Sequence, residues 1–220
     1  MNKFIYKGFS AVEFLIAAIP CLLLSLICFE FTRWYQYKQV LNLALLEASR
    51  QAMVKNADFE IIEKTFNTEA LPLFVSKSAT KLQKKTYAKN WKLFGRPWEI
   101  TVHSPTCKDL KKWHDNSLVF ALPLINNNYQ KEQAELKSDT SIYDANTLDL
   151  ELIYPYKPVV PGVQILISTL LGKTSSDIYK DRIFSHGYLP IKTRVRVTMH
   201  SHPLIRTGSW YQNVRYAKNC

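Results

Sequence analysis

From Phe9 to Phe29 the chain is apolar or small at every position except Glu13. A run of roughly 20 such residues rises about 30 Å as a helix, enough to cross the hydrocarbon of a bilayer. Beyond Arg33 the pattern changes character without stopping. Tyr37, Leu41, Ala44, Leu45, Ala48 and Ala52 recur three and four apart, with Lys38, Asn42, Arg50 and Lys55 on other faces. That spacing predicts one long helix, a membrane span over 9–33 continued by an amphipathic stretch over 34–56 whose apolar stripe faces a core. Trp34, Tyr35 and Tyr37 fall where aromatic rings sit at a membrane boundary. Pro20 lacks an N–H and crowds the carbonyl of Ile16, which predicts a kink near mid-membrane.

The remainder, 57–220, reads as one globular domain. A second helix is expected over Asp58–Phe66, with Ile61, Ile62 and Phe66 inward. A third covers Ser76–Leu93, where Lys77, Lys81, Lys84, Lys85, Lys89 and Lys92 form a stripe roughly 140° wide. Ala79, Leu82, Tyr87, Leu93 and Phe94 fall largely opposite them. Trp98–His103, Leu118–Ile125, Thr147–Tyr154, Ile191–Met199 and Ser209–Ala217 read as strands, and Asn126–Ser138 as a polar connection. Pro155, Pro158, Pro161 and Gly162 precede a short apolar helix, Val163–Leu171. Thr147–Tyr154 alternates as a half-buried strand with Asp149 and Glu151 on its outer face, and Ile191–Met199 carries Lys192, Arg194 and Arg196 outward. Their matched spacing and opposite sign predict that these two strands are antiparallel neighbours. The fold class is α+β, a long N-terminal transmembrane and amphipathic helix packed on an antiparallel sheet.

The composition, 47% hydrophobic and 13% aromatic, excludes wholesale disorder. The formal charge of +11 makes the surface attractive to headgroups, polysaccharide, nucleic acid or an acidic subunit without choosing among them. The lysine stripe is the candidate face for such a partner, and equally an ordinary solvated face. Cys21 and Cys28 lie in the span, about 10 Å apart along the axis and beyond bridging distance. Cys107 and Cys220 are the cysteines outside it, and in an oxidising compartment they are expected to form a disulfide. Gly172-Lys173-Thr174 is not a phosphate loop, since that motif needs glycine where Ile167 stands. His200 and His202, with His186 or His114, are weighed as metal ligands and set aside for want of an acidic partner on a basic strand. Cys107 with His103 and His114 lacks a supporting motif for nucleophilic catalysis. No enzyme activity and no cofactor are expected.

Glu13 needs a reason, because a carboxylate at the end of an apolar span is costly unless its charge is answered. The parts around it come in a definite order: Lys3 and Lys7, then Gly8, Phe9 and Glu13, then the apolar run. No small-residue cleavage site of the secretory kind follows that run. Lys3 and Lys7 favour a cytoplasmic N-terminus and place the domain outside. This order, with Ala11-Val12-Glu13-Phe14, Pro20 and the Glu30-Phe31 pair, resembles type IV prepilins, and more closely the TadE-like pseudopilins.

The resemblance implies a leader, 1–8, cut after Gly8 by a prepilin peptidase that can also methylate the new N-terminus at Phe9. Removing two lysines would leave +11 − 2 = +9 on the mature chain. It further implies a minor pilin or pseudopilin of a Tad-type or type IV-like pilus, single-pass in the bacterial inner membrane with its domain in the periplasm, or in the pilus after assembly. Its partners would be other pilins or pseudopilins and the peptidase, with nucleic acid not expected, and Glu13 and Pro20 would serve assembly, the bend at Pro20 letting subunits pack at an angle. The alternative is a membrane-anchored periplasmic module that binds an anionic ligand.

Overall fold

A computed structural model describes residues 11–114, 124–172, 177–204 and 213–217. The first element, α1 (Ala11–Val54), is a single helix of 44 residues that continues through Pro20. Its second half carries the expected stripe inward: Leu41, Ala44, Leu45, Ala48 and Ala52 are all fully buried. The far end is held by the chain that follows the third strand. The His200 and Ser201 amides and the Ser201 hydroxyl donate to the Met53 carbonyl at 2.9–3.1 Å. Asn56, in the left-handed region at φ 57°, is tied to the same segment, its amide donating to Ser201 Oγ and its carbonyl accepting from the Leu204 amide. Terminal carbonyls that would otherwise be orphaned are thereby satisfied.

Next come α2 (Phe59–Glu69), a 3-10 turn at Leu71–Leu73, and α3 (Ala79–Phe94). Asp58 caps α2 by accepting from the Glu60 amide at 2.9 Å. Gly95, at φ 82°, ends α3 and donates to the Trp91 carbonyl. Then follow β1 (Glu99–Ser104), α4 (Cys107–Trp113), α5 (Gln130–Lys137), α6 (Ser141–Ala145), β2 (Thr147–Tyr156), α7 (Val163–Leu171), α8 (Ile178–Ser185), β3 (Leu189–Thr198) and β4 (Val214–Tyr216). The expected polar connection at 126–138 thus contains a helix, α5. Of the strand expected over 118–125, residues 118–123 lie outside the described residues, and Leu124 and Ile125 make only isolated bridges, to Leu204 and His114.

The α+β plan holds, with strand order β3-β2-β1-β4. The sheet is mixed where the sequence suggested an antiparallel one. β2 pairs antiparallel with both β1 and β3, whereas β4 runs parallel to β1. Since β3, β1 and β4 share one direction, β4 cannot follow β3 as a hairpin. The chain must first return along the sheet, which it begins to do where 200–204 closes the end of α1.

α1 lies on one face of this sheet, where Leu148, Leu150, Leu152, Tyr154, Tyr156, Ile100 and Trp98 meet its stripe. Phe66 of α2 packs edge-on against Trp98 at 4.7 Å between ring centroids. The opposite face carries a smaller cluster of Phe94, Ile153, Tyr179, Ile183 and Tyr188, brought by α3 and α8. α3 turns differently from expectation. Leu82 is 38% exposed, and the inward line is Gln83, Tyr87, Asn90 and Phe94. The two amides are drawn in by carbonyls they can reach, Gln83 Nε2 to Asn67 O at 2.6 Å and Asn90 Nδ2 to Pro97 O at 3.4 Å.

β2 and β3 are antiparallel neighbours as the charge pattern required, with Asp149 opposite Arg196 and Glu151 opposite Arg194. The side chains pair on the diagonal. Arg194 donates a fork to Asp149 at 2.8 and 2.6 Å, and Lys192 Nζ stands 3.0 Å from Glu151. Contrary to the half-buried reading, Asp149 is 3% and Glu151 7% exposed. The arginine fork and the His103 ring, 3.4 Å from Glu151, lie over them.

Burial alone would push the Asp149 carboxyl up, but hydrogen bonds from Arg194, with the charges of Arg194, Arg196 and His103, hold it below the ordinary carboxylate range. A depressed carboxyl favours the fold above its unfolded value near about 4 and loses that effect as pH falls through the folded value. Asp149→Asn should therefore lower the melting temperature of the detergent-solubilised protein by about 2–4 °C at pH 7. The gap should close as the pH drops below about 4, measured by melting curves across pH.

Candidate functional site

Helix α1 leaves the domain bare over its first half. From Glu13 to Phe29 nearly every side chain is exposed, Ile16 at 68% and Leu22 at 64%, although the segment is apolar. Among the described residues α1 is the one helix long and apolar enough to cross a membrane, and its most apolar stretch is almost wholly uncovered. Glu13 lies in the first described turn of α1. Pro20 lies seven residues further on, on the bare part. Gly8 and Phe9 lie outside the described residues.

The exposed half ends at Glu30, which is 7% exposed. Its carboxylate is gripped by the end of β2 and the segment that follows. The Tyr156 hydroxyl donates to Oε1 at 2.5 Å, and the Val159 and Val160 amides donate to Oε2 at 3.0 and 2.8 Å. These are charge-assisted bonds in a protected site, the stronger kind. Burial first, then the hydrogen bond and charge of Glu30, push the Tyr156 phenol well above its ordinary value, so it remains a donor at any physiological pH. Tyr37, two turns along α1, packs edge-on against the Tyr156 ring at 5.0 Å. Arg33 lies over the Tyr37 ring and Lys38 over that of Trp34, at 5.9 and 5.3 Å. Of the aromatic residues expected at the membrane boundary, Tyr37 therefore backs the tyrosine that holds a buried carboxylate, whose role sequence reasoning missed. A signal existed, for Glu30 stands seven residues before Tyr37 and so belongs to the stripe that continues through Leu41 and Ala44.

The other singled-out residues are dispersed. Lys77, Lys81, Lys84, Lys85, Lys89 and Lys92 are all exposed along and just before α3, and none has an ion-pair partner among the described residues. Cys107 opens α4 beside the small cluster of Trp113, Ile125, Ala134, Ile142 and Ala145, while Cys220 lies outside the described residues. His202 Nδ1 accepts from the Asn127 amide at 3.0 Å, and His186 Nδ1 stands 2.8 Å from the Arg182 carbonyl. Among the described residues no three His, Cys, Asp or Glu side chains converge to hold a metal ion. A cleft between α3 and α8 is crossed by Arg96 and Arg215, both paired with the buried Glu99, which ties β1 to β4.

The N-terminal residues 8–50 match a family model described as TadE-like protein. The match takes in nearly all of α1, including Glu13, Pro20 and Glu30, and stops before α2. No curated protein and no solved structure matches the chain.

Replacing Glu30 by alanine would leave two amides and a phenol without their acceptor. The Val159 and Val160 amides should then exchange hydrogen at least about tenfold faster, the equivalent of about 1.4 kcal/mol and the lower end for a bond to a charged group. Amides from Leu41 to Ala48 should be unaffected, as read by hydrogen exchange with mass spectrometry.

Proposed function

From a TadE-like N-terminal helix on an α+β domain, we propose that this is a minor pilin or pseudopilin of a Tad-type pilus. It is cut after Gly8, anchored in the inner membrane by residues 9–33, and assembles with other pilins through the bare half of α1. The observation that carries this reading is the coincidence of the family match at 8–50 with an apolar helix that the domain leaves uncovered. Such a face is stable in lipid or against similar helices, and costly in water. The part is structural rather than enzymatic. The domain would lie in the periplasm, where Cys107 and Cys220 would be oxidised to a disulfide that ties down the C-terminus.

Cleavage after Gly8 would create a positive α-amine at Phe9, about one helical turn from Glu13. On the same chain, or on a neighbouring subunit offset along the filament, that amine answers the carboxylate and sets the packing register. Mass spectrometry of the native, unreduced protein should find Phe9 as the first residue and a peptide linking Cys107 to Cys220. An intact Met1 sinks the processing reading, and free thiols at both cysteines sink the bridge. Glu13→Val should leave cleavage and insertion largely intact and abolish crosslinking to partner pilins; wild-type crosslinking and piliation would refute the register role.

A second reading, a membrane-anchored module for an anionic ligand, is favoured by the six exposed lysines along and just before α3, without ion-pair partners among the described residues. Changing Lys81, Lys85 and Lys89 to glutamine should then reduce function or membrane association without changing the melting temperature. Unchanged piliation and binding would mark the stripe as a solvated face.

A further inference from the structure

Helix α7 is apolar on its outward side as well as its inward one, which is unusual for a helix on a water-soluble domain. Its nine residues, Val163 to Leu171, include no charged side chain. At about 100° per residue, Ile165, Leu166, Thr169 and Leu170 share an arc of roughly 140°. That arc points outward, with Ile165 69%, Leu166 59% and Leu170 73% exposed. The other side, toward the domain, holds the buried Ile167 with the part-buried Gln164 and Ser168. Gln164 Nε2 donates to the Pro158 carbonyl at 2.9 Å, and the Gln164 backbone closes on Gly187, where a Cβ would come within 2.4 Å of its carbonyl oxygen. The helix is therefore fixed in this orientation by the contact beneath it.

The position of α7 is fixed as well. Glu30 closes the apolar, bare half of α1, and the amides it binds belong to Val159 and Val160. Val160 reaches α7 through a single turn, its carbonyl accepting from the Val163 amide at 3.4 Å. Helix α7 thus starts at the depth where α1 leaves the hydrocarbon, and its length of about 13 Å keeps it near that plane. Val159 adds another apolar side chain, 52% exposed. Lys157, exposed just before it, and Arg33 and Lys38 on α1 supply the basic rim that suits anionic headgroups.

We infer that α7, with the turn at Val159, is a second membrane-contacting element. It lies in the interface beside α1 with Ile165, Leu166 and Leu170 among the headgroups and upper acyl chains. The inference rests on the reading of α1 as a membrane span. The occupant is lipid, because the patch is continuous in depth with that span and lacks charge across its outward arc. A helix of this kind binds through its buried apolar area and lies in the plane of the interface. The domain would then be held at two points, by α1 and by α7, and its rotation about α1 would be restricted.

The experiment uses the full chain in vesicles containing phosphatidylglycerol, labelled with a bimane fluorophore at one cysteine at a time. Ile165→Cys and Leu170→Cys are made with Cys21 and Cys28 changed to alanine, and the labelled parent without the new cysteine is subtracted. Leu136→Cys, at a site 86% exposed on α5, reports water. Native Cys21, with Cys28→Ala, reports the span. Labels at 165 and 170 should lose emission to a lipid carrying a shallow acyl-chain nitroxide and resist aqueous iodide, as Cys21 does, while the label at 136 shows the reverse. If Cys21 behaves as a lipid site but 165 and 170 are quenched by iodide, α7 is in water and the inference fails alone. If Cys21 is quenched by iodide, the span reading fails with it. Protection of 165 and 170 from both quenchers would show a protein covering α7 and would also overturn the proposal.

Discussion

The organisation of this protein depends on one unbroken helix having to serve two surroundings. The stripe from Tyr37 to Ala52 is buried by the sheet, whereas from Glu13 to Phe29 the same helix has no domain around it. Burying residues 13–29 in the domain would require a second layer, which the described residues do not build, and leaving them in water would wet a large apolar surface. The change of surroundings occurs at Glu30. A carboxylate there costs little only if it is answered, and Tyr156 with two backbone amides answers it. Helix and sheet are thus fastened where the solvent changes.

The second fastening is at the opposite end. Residues 200–204 close over the last turn of α1 through Met53 and Asn56. Between these two points the helix presents alanines to the sheet at 44, 48 and 52, which allow close approach, with Leu41 and Leu45 filling the space. The helix cannot slide along its axis without breaking one set of hydrogen bonds or the other. Whatever fixes the depth of the N-terminal half therefore fixes the height of the domain.

Much of this was legible in the sequence, for reasons that differ by element. The stripe of α1 repeats over about four turns, so its period outweighs any local ambiguity, and α7 is bounded by glycine and proline on one side and glycine on the other. The pairing of β2 with β3 could be read because opposite charges at matched spacing leave little choice of neighbour. The short helices α4, α6 and α8 have seven, five and eight residues and too few turns for a periodic signal. The capping residues of α4 and α8 were there to be seen: Thr106 with Asp109 forms a capping box, and Asp177 accepts from the Tyr179 amide. The burial of Asp149 and Glu151 was not visible because the atoms covering them come from β1 and β3. The partner of Glu30 was equally hidden, lying 126 residues away on the far end of β2.

β3 stands at the edge of the sheet, ten residues long, with its outer row of amides and carbonyls facing away from β2. Long regular edges invite strand addition, and the hazard grows when many copies are crowded into one assembly. Here the edge carries Lys192, Arg194 and Arg196 at alternate positions, with side chains 51–57% exposed, and Pro190 near its start. Two copies brought edge to edge in antiparallel register about Arg194 would set arginine against arginine and Lys192 against Arg196. Each juxtaposition opposes pairing. The same residues that answer the acids of β2 within one molecule thus discourage its sheet from continuing into the next.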